Sequence, residues 1–125
     1  MTMNGGAKTW YFPDGYLPAK SGGGLMEAHE ALMLLNTSDA PANVMIDVYF
    51  EDRNPVKDIS VVVGAERVKT LRLDHPFEIG GLEIPVLTQY SLRIRSDREI
   101  VAQFGRLDTT QNNMAYYTGA GFYES

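Results

Sequence analysis

Turn-forming residues divide the chain into short apolar segments, and this division limits what it can fold into. Between residues 43 and 51, Val44, Ile46, Val48 and Phe50 alternate with other side chains, the period of a β-strand with one buried face. Similar segments recur at a spacing of roughly ten residues, separated by Gly, Pro, Asn and Asp. This spacing predicts an all-β protein, an antiparallel β-sandwich of about seven or eight short strands with little helix.

Most segments are assigned as strands by the same pattern, and one is ambiguous. In residues 28–36 the Glu, Ala, Leu and Met favour helix, whereas the length and the Asn-Thr-Ser-Asp ending also suit a buried strand, which we predict. Pro13-Asp14-Gly15 is expected to end the first strand, and two prolines and two glycines predict a loop over residues 75–85. The predicted strands are residues 8–12, 28–36, 43–51, 57–64, 67–73, 88–96 and 99–107.

Two pairs of neighbouring strands are predicted to form hairpins. Residues 28–36 and 43–51 are joined by a polar turn that contains proline. Residues 88–96 and 99–107 are joined by Ser96-Asp97-Arg98 and form the best hairpin signal in the chain.

The length of 125 residues predicts one domain over residues 1–125. Residues 1–6 contain two glycines and little to bury, so they are expected to fray. The glycine-rich loop over residues 16–24 is expected to be a mobile connection or a lid over a ligand. The tail over residues 114–125 is aromatic and almost uncharged, so we expect it to dock on its own sheet or on another subunit.

Composition excludes cysteine chemistry and argues against membrane insertion and nucleic-acid binding. The absence of cysteine excludes disulfides, thiolate metal sites and cysteine nucleophiles. No apolar run approaches a membrane span, so we expect a cytoplasmic protein without membrane insertion. With 16 acidic and 11 basic residues, a net charge of −5 makes nucleic acid an unfavourable main partner. Arg93, Arg95 and Arg98 are a candidate basic strip, although a solvated outer face is the favoured interpretation.

A cluster of unlike polar groups follows the apolar run that starts at Ile100. Arg106, Asp108 and Gln111 bring a guanidinium, a carboxylate and an amide to one strand end. Such groups can hold a polar ligand from several directions, or they can form a structural latch by bonding to each other. The sequence leaves both interpretations open.

Several short motifs occur in an order that resembles the sensory rhodopsin transducer family over roughly residues 8–113. The motifs are Trp10, GYLP at 15–18, His29-Glu30, LLN at 34–36, Tyr49-Phe50 before Pro55-Val56, Glu66-Arg67 and RLDTTQ at 106–111. The resemblance implies a cytoplasmic β-sandwich subunit, assembled as a homotetramer, without catalytic chemistry or a cofactor. The partner it implies is a membrane sensory rhodopsin or a small polar ligand such as a sugar. The glycines at 22–24 and the tyrosine-rich tail depart from the family pattern.

The positions that match the family pattern form the candidate ligand-binding set. Its members are Trp10, His29, Glu30, Asn36, Arg67, Arg106, Asp108 and Gln111. An indole can stack on the apolar face of a sugar, and carboxylate, amide and guanidinium groups can hydrogen-bond its hydroxyls. The structural alternatives are a core position for Trp10, a turn position for Asn36 and a solvated pair with Glu66 for Arg67.

Two enzymatic interpretations rank below a non-enzymatic binding module. His29, Glu30 and His75 are the ingredients of a metal site with two histidines and one carboxylate, but neighbours on a strand point to opposite faces. Glu30 and Asp108 are a candidate carboxylate pair for glycoside hydrolysis, which requires one raised pKa.

Overall fold

The computed structural model describes residues 5–19, 28–108, 115–119 and 121–124. Within these ranges it contains eight β-strands, one short 3-10 turn at Pro76–Glu78 and no α-helix, so the all-β prediction is confirmed. No helix in the described part is long and apolar enough to cross a membrane. The strands are β1 (Ala7–Tyr16), β2 (His29–Asn36), β3 (Ala42–Phe50), β4 (Val56–Val63), β5 (Arg67–Arg72), β6 (Gln89–Asp108), β7 (Ala115–Gly119) and β8 (Phe122–Glu124).

The strands form two antiparallel sheets that share β6. Sheet A has the order β4-β3-β6-β1-β8, and sheet B has the order β5-β2-β6-β7. The inward side chains of both sheets pack into one hydrophobic cluster, with Leu32 and Leu34 from sheet B and Ile46, Val48 and Ile94 from sheet A. Burial of the alternating apolar residues on both sides of this core stabilises the sandwich.

The chain changes sheet in the middle of β6. The first half pairs with β3 up to Ser96, and the second half pairs with β2 from Val101 onwards. Thr9 on β1 pairs with Arg95 on β6, and Ala7 pairs with Ile100. Five positions on β6 therefore lie opposite two positions on β1, so the register of β6 against β1 shifts between Arg95 and Ile100.

The predicted hairpin of residues 88–96 and 99–107 is therefore wrong in its pairing. The polar Ser96-Asp97-Arg98 segment does lie where the chain leaves one sheet, but the two halves pair with strands of different sheets. Apolar residues on both halves can then face the same core from opposite sides.

The predicted hairpin of residues 28–36 and 43–51 is also wrong, because β2 pairs with β5 and β6 whereas β3 pairs with β4 and β6. Asn36 explains the change of sheet. Its buried side-chain amide donates hydrogen bonds to the carbonyls of Ala40 at 2.8 Å and of Val63 and Gly64 at 3.1 Å. These hydrogen bonds link the β2–β3 turn to the β4–β5 turn, at the point where the chain passes from sheet B to sheet A.

β1 continues past the turn that was predicted to end it. A register shift between Phe12 and Gly15 absorbs the irregular Pro13-Asp14 step, and the strand runs on to Tyr16. Gly15 is required there because an added Cβ would lie 2.5 Å from the ring of Tyr90. The step is accommodated as a bulge and not as a turn.

The aromatic tail adds two short strands to the sheets of its own chain. β7 pairs with the end of β6, and β8 pairs with β1. Phe122 and Tyr123 remain 71% and 64% exposed, respectively. Residues 1–4 of the predicted frayed start and residues 20–24 of the predicted loop lie outside the described residues.

Candidate functional site

Glu30 on β2 is the centre of the candidate site. Its side chain is completely buried and accepts hydrogen bonds from three groups. The Tyr16 N–H donates at 2.9 Å and the Tyr90 hydroxyl at 2.7 Å to Oε1, and Arg106 Nε donates at 2.7 Å to Oε2. One carboxylate thus joins the end of β1 and both halves of β6.

The two β6 residues bound to Glu30 show how closely the chain folds back. Tyr90 and Arg106 are 16 residues apart, which would be roughly 50 Å along an extended strand. Both nevertheless contact the same carboxylate, Tyr90 from sheet A and Arg106 from sheet B. Glu30 therefore links the two sheets by hydrogen bonds, in addition to the packing of both sheets on one hydrophobic core.

The pKa shifts of Tyr90 and Arg106 agree with their roles as hydrogen-bond donors to Glu30. Burial, together with the charge of Glu30, raises the pKa of Tyr90 well above its usual value, so the phenol keeps the proton that it donates. Burial by itself would lower the pKa of Arg106, but the hydrogen bond and charge of Glu30 outweigh it and raise that pKa. Glu30 thus accepts a hydrogen bond from each of its three donors.

Arg106 is the member of this group that reaches solvent. Its side chain is 26% exposed, and among the described residues only its Nε has a hydrogen-bond partner. His29 is the first residue of β2 and pairs with Leu107, the residue that follows Arg106 on β6. We call His29, Glu30, Tyr90 and Arg106 the Glu30 corner.

The fold divides the candidate set between the two ends of the sandwich. His29, Glu30 and Arg106 lie at the Glu30 corner, whereas Asn36 pairs with Arg67 at the other end of β2. Glu30 and Asn36 are six positions apart on β2, a distance of roughly 20 Å along an extended strand. One small ligand cannot contact both groups.

Three candidates outside the corner have structural contacts. The Trp10 indole N–H donates to the Ile100 carbonyl at 2.9 Å, and its ring lies 5.3 Å from that of Tyr123. Asn36 organises the turn between the sheets. Arg67 is exposed and donates to the Glu66 carbonyl at 3.0 Å.

The trio expected at the end of β6 is only partly described. Asp108 ends the strand, but its side chain lies outside the described part, and so does Gln111. Arg106 contacts Glu30, whose place in the site rested on the family motif and not on the trio.

Asp47 on β3 is a second buried carboxylate. Arg93 and Arg95 donate to it at 2.7 and 2.8 Å, and the Asp58 N–H donates at 2.9 Å. Burial would raise the pKa of Asp47, but these hydrogen bonds, led by Arg95, lower it well below its usual value. Two members of the candidate basic strip are thus neutralised, while Arg98 is exposed.

Sequence reasoning overlooked Tyr90 and Asp47 as functional or structural centres. Asp47 stands opposite Arg93 in the β3–β6 register, a signal that becomes readable only when that pairing is known. The ring of Tyr90 is buried in the core, but the alternating pattern of its strand does not reveal that its hydroxyl donates to Glu30.

The residues considered for a metal site are engaged elsewhere. His75 Nδ1 lies 2.7 Å from a Glu78 carboxylate oxygen, and the Glu30 carboxylate is occupied by its three donors. Within the described ranges, no group of three potential ligands is placed to hold a metal ion.

Comparisons with known proteins give a consistent result. The family model described as "Anabaena sensory rhodopsin transducer" matches residues 5–123. The crystal structure of Thermotoga maritima 1070 is similar, with a TM-score of 0.83 and 36% identity over 95% of this chain and 96% of that one. The structure of the Anabaena sensory rhodopsin transducer gives a TM-score of 0.73 and 31% identity over 88% of this chain and 96% of that one. Among curated proteins, none matches the chain significantly.

Proposed function

Because the chain belongs to the Anabaena sensory rhodopsin transducer family, we propose that it is a non-enzymatic binding module that recognises a small polar ligand, such as a sugar, at the Glu30 corner. Binding there would be passed on to a partner protein, as expected of a transducer. We place this activity in the cytoplasm, on the same family grounds.

One observation carries the ligand proposal. Arg106 is held in place through Nε by a buried carboxylate, while its side chain remains partly exposed. A guanidinium fixed in this way is pre-organised, because the entropy of ordering the side chain is already lost before a ligand arrives. Its remaining N–H groups are suited to the hydroxyl or carboxylate oxygens of a small polar molecule.

The neighbouring groups support recognition and not catalysis. Glu30 accepts three hydrogen bonds and is removed from solvent, so its role is to position Arg106. Asp14 on β1 contributes a negative charge that raises the pKa of Arg106. A site of this kind offers donors and acceptors around one fixed cation.

A thermal-shift screen with mono- and disaccharides tests the proposal. A ligand at about 100 times its Kd should stabilise the wild type by about 2.7 kcal/mol and raise its Tm. Arg106→Ala should lose this rise in Tm. Arg67→Ala is the matched control, since it removes an exposed arginine at the opposite end and should keep the rise.

Two outcomes would reject the sugar-binding role. One is a screen in which no sugar raises the Tm of the wild type. The other is a rise that is equally large in Arg106→Ala, which would place the ligand elsewhere.

A retinal membrane protein is a second candidate partner, favoured by the similarity to the Anabaena sensory rhodopsin transducer. A gene for such a protein beside the gene for this chain would support the pairing, and neighbouring sugar-metabolism genes would favour the small ligand. Titration of a purified, detergent-solubilised rhodopsin from the same genome with this protein measures the interaction directly. Absence of binding at micromolar concentrations would reject this candidate.

Self-association, with a homotetramer as the expected state, is supported by exposed apolar side chains. Phe122 and Tyr123 are exposed on β8, and Val68, Leu35 and Val101 form an exposed row across sheet B. Exposed apolar area of this kind favours an interface between subunits. Light scattering at micromolar concentration should give a tetramer mass, and a monomer mass would contradict it.

A further inference from the structure

An open groove of about 470 Å³ lies between β4 and β5, where the two sheets meet at their edges. The turn after β5 lines the groove as well. Its lining residues are Ser60, Val61 and Val62 of β4, Lys69, Thr70 and Leu71 of β5, and Phe77, Glu78 and Gly80 of that turn. The Glu30 corner contributes none of them.

Both long walls of this groove are edge strands. Within the described part of the chain, β4 pairs only with β3, and β5 pairs only with β2. Each wall therefore presents backbone N–H and C=O groups that have no strand beside them. Such groups are a template for an extended chain, which can add to the sheet through main-chain hydrogen bonds.

The side chains of the groove combine apolar surface with one unpaired positive charge. Val62 is 51% exposed and Phe77 is 81% exposed. Lys69 is exposed and forms no ion pair with any described residue. The carboxylate of Glu78 is already engaged, since it accepts from the Arg72 N–H at 3.1 Å and lies 2.7 Å from His75 Nδ1. Of the two charged residues in the groove, Lys69 is thus the one without a partner in the described part of the chain.

We propose that this groove binds an extended, acidic segment of a partner protein by strand addition to β5. Backbone groups of β5 hydrogen-bond the segment, and a carboxylate side chain of the segment pairs with Lys69. Alternate apolar side chains of the segment pack on Val62 and Phe77. The charge complementarity selects an acidic segment over a basic one.

The alternative role for Lys69 is protective. A charged side chain on an edge strand can prevent unwanted pairing between sheets of different molecules. The two roles differ in an observable way, because a protective lysine excludes extended peptides whereas the proposed one binds them.

A phage-displayed library of random octapeptides, selected on the full-length protein, tests the proposal. The enriched peptides should alternate apolar residues and carry at least one Asp or Glu. A synthetic copy of the best peptide, followed by fluorescence polarisation, should bind Lys69→Glu about tenfold more weakly than wild type. Lys8→Glu makes the same charge change on β1 and should leave the affinity unchanged.

Backbone methylation gives an independent readout. The same peptide with alternate amide nitrogens methylated keeps its side chains but cannot form a ladder with β5, so it should bind at least about tenfold more weakly. Three outcomes would overturn the proposal: no enrichment, equal affinity for Lys69→Glu and wild type, or equal affinity of the methylated and unmethylated peptides. Failure here leaves the sugar screen unaffected, because Arg106 lies outside the groove.

Discussion

Glu30 and Asp47 are both buried carboxylates bound by arginine, but they connect different parts of the molecule. The partners of Asp47 all lie in sheet A, on β4 and on the first half of β6. The partners of Glu30 come from both sheets. Asp47 thus stabilises one sheet, whereas Glu30 fixes the two sheets relative to each other.

The arginines around the two carboxylates also differ. Arg95 uses both Nε and Nη2 for Asp47 and a further contact for Asp58, so its capacity is largely taken up. Arg106 uses only Nε for Glu30 within the described part. The Asp47 cluster thus has a structural role, whereas Arg106 keeps N–H groups for the ligand that we propose at the Glu30 corner.

Replacing Glu30 should have the largest effect on stability. Glu30→Gln keeps the shape but replaces one acceptor oxygen by an NH2 group, so Arg106 loses its ion pair and a buried donor such as the Tyr90 hydroxyl can lose its acceptor. Disrupting a buried carboxylate network that links both sheets should cost about 3–5 kcal/mol, which urea unfolding can measure. A loss no larger than that of Asp47→Asn would remove the distinction between the two carboxylates.

Asp47→Asn should cost less, about 2–3 kcal/mol, because Arg93 and Arg95 can turn towards water once the charge is gone. The pKa of Asp47 is lower in the folded state than its ordinary value of 3.8. Its ionisation therefore stabilises the fold fully above that value, and the stabilisation is lost as the pH falls below it. Unfolding free energy measured between pH 5 and pH 2, roughly the range of this transition, should fall less steeply in Asp47→Asn than in wild type. Equal slopes would show that Asp47 is not a source of acid sensitivity.

Tyr90→Phe should have a smaller effect than either carboxylate change. It removes one hydrogen bond to Glu30 and keeps the ring that packs in the core, so we expect a loss of about 1.5 kcal/mol. Thermal unfolding checks this value. No measurable loss would mean that Tyr90 contributes to the corner only through its ring.

Arg67→Ala should have the smallest effect, below about 0.5 kcal/mol, because Arg67 is exposed and its side-chain hydrogen bonds to described residues go to two main-chain carbonyls. A loss of more than about 1 kcal/mol would show an interaction at that end of the sandwich that its contacts do not explain.

Strands β1 to β5 and both halves of β6 could be predicted from the sequence, whereas β7 and β8 in the tail were not predicted as strands. The family could also be predicted, and the match of the family model over residues 5–123 confirms it. The pairing could not be predicted in two places. A short polar turn usually joins strands of a hairpin, yet Asn36 turns the chain into the other sheet through carbonyls 27 and 28 residues away. At Ser96-Asp97-Arg98 the same polar signal marks a change of sheet and not a hairpin. Local composition does not distinguish these cases, because the deciding contacts are distant in sequence.

The candidate site was predictable to the extent that motifs marked its residues. His29-Glu30 and Arg106 were identified, but their proximity depends on the register of β2 against β6, which only the structure provides. Asn36 and Arg67 carried equally good motifs and lie at the other end of the molecule. A polar residue that organises a turn and one that supports a binding site have the same sequence signature.

A double-mutant cycle between Tyr90→Phe and Arg106→Ala tests the central claim, that Glu30 links the two sheets. The residues are 16 positions apart and lie in different sheets, so their coupling must pass through the carboxylate that both contact. Urea unfolding should give a coupling of about 1 kcal/mol, which disappears when the cycle is repeated in Glu30→Gln. Additivity within about 0.3 kcal/mol in the wild-type background, or a coupling that persists without Glu30, would contradict the claim.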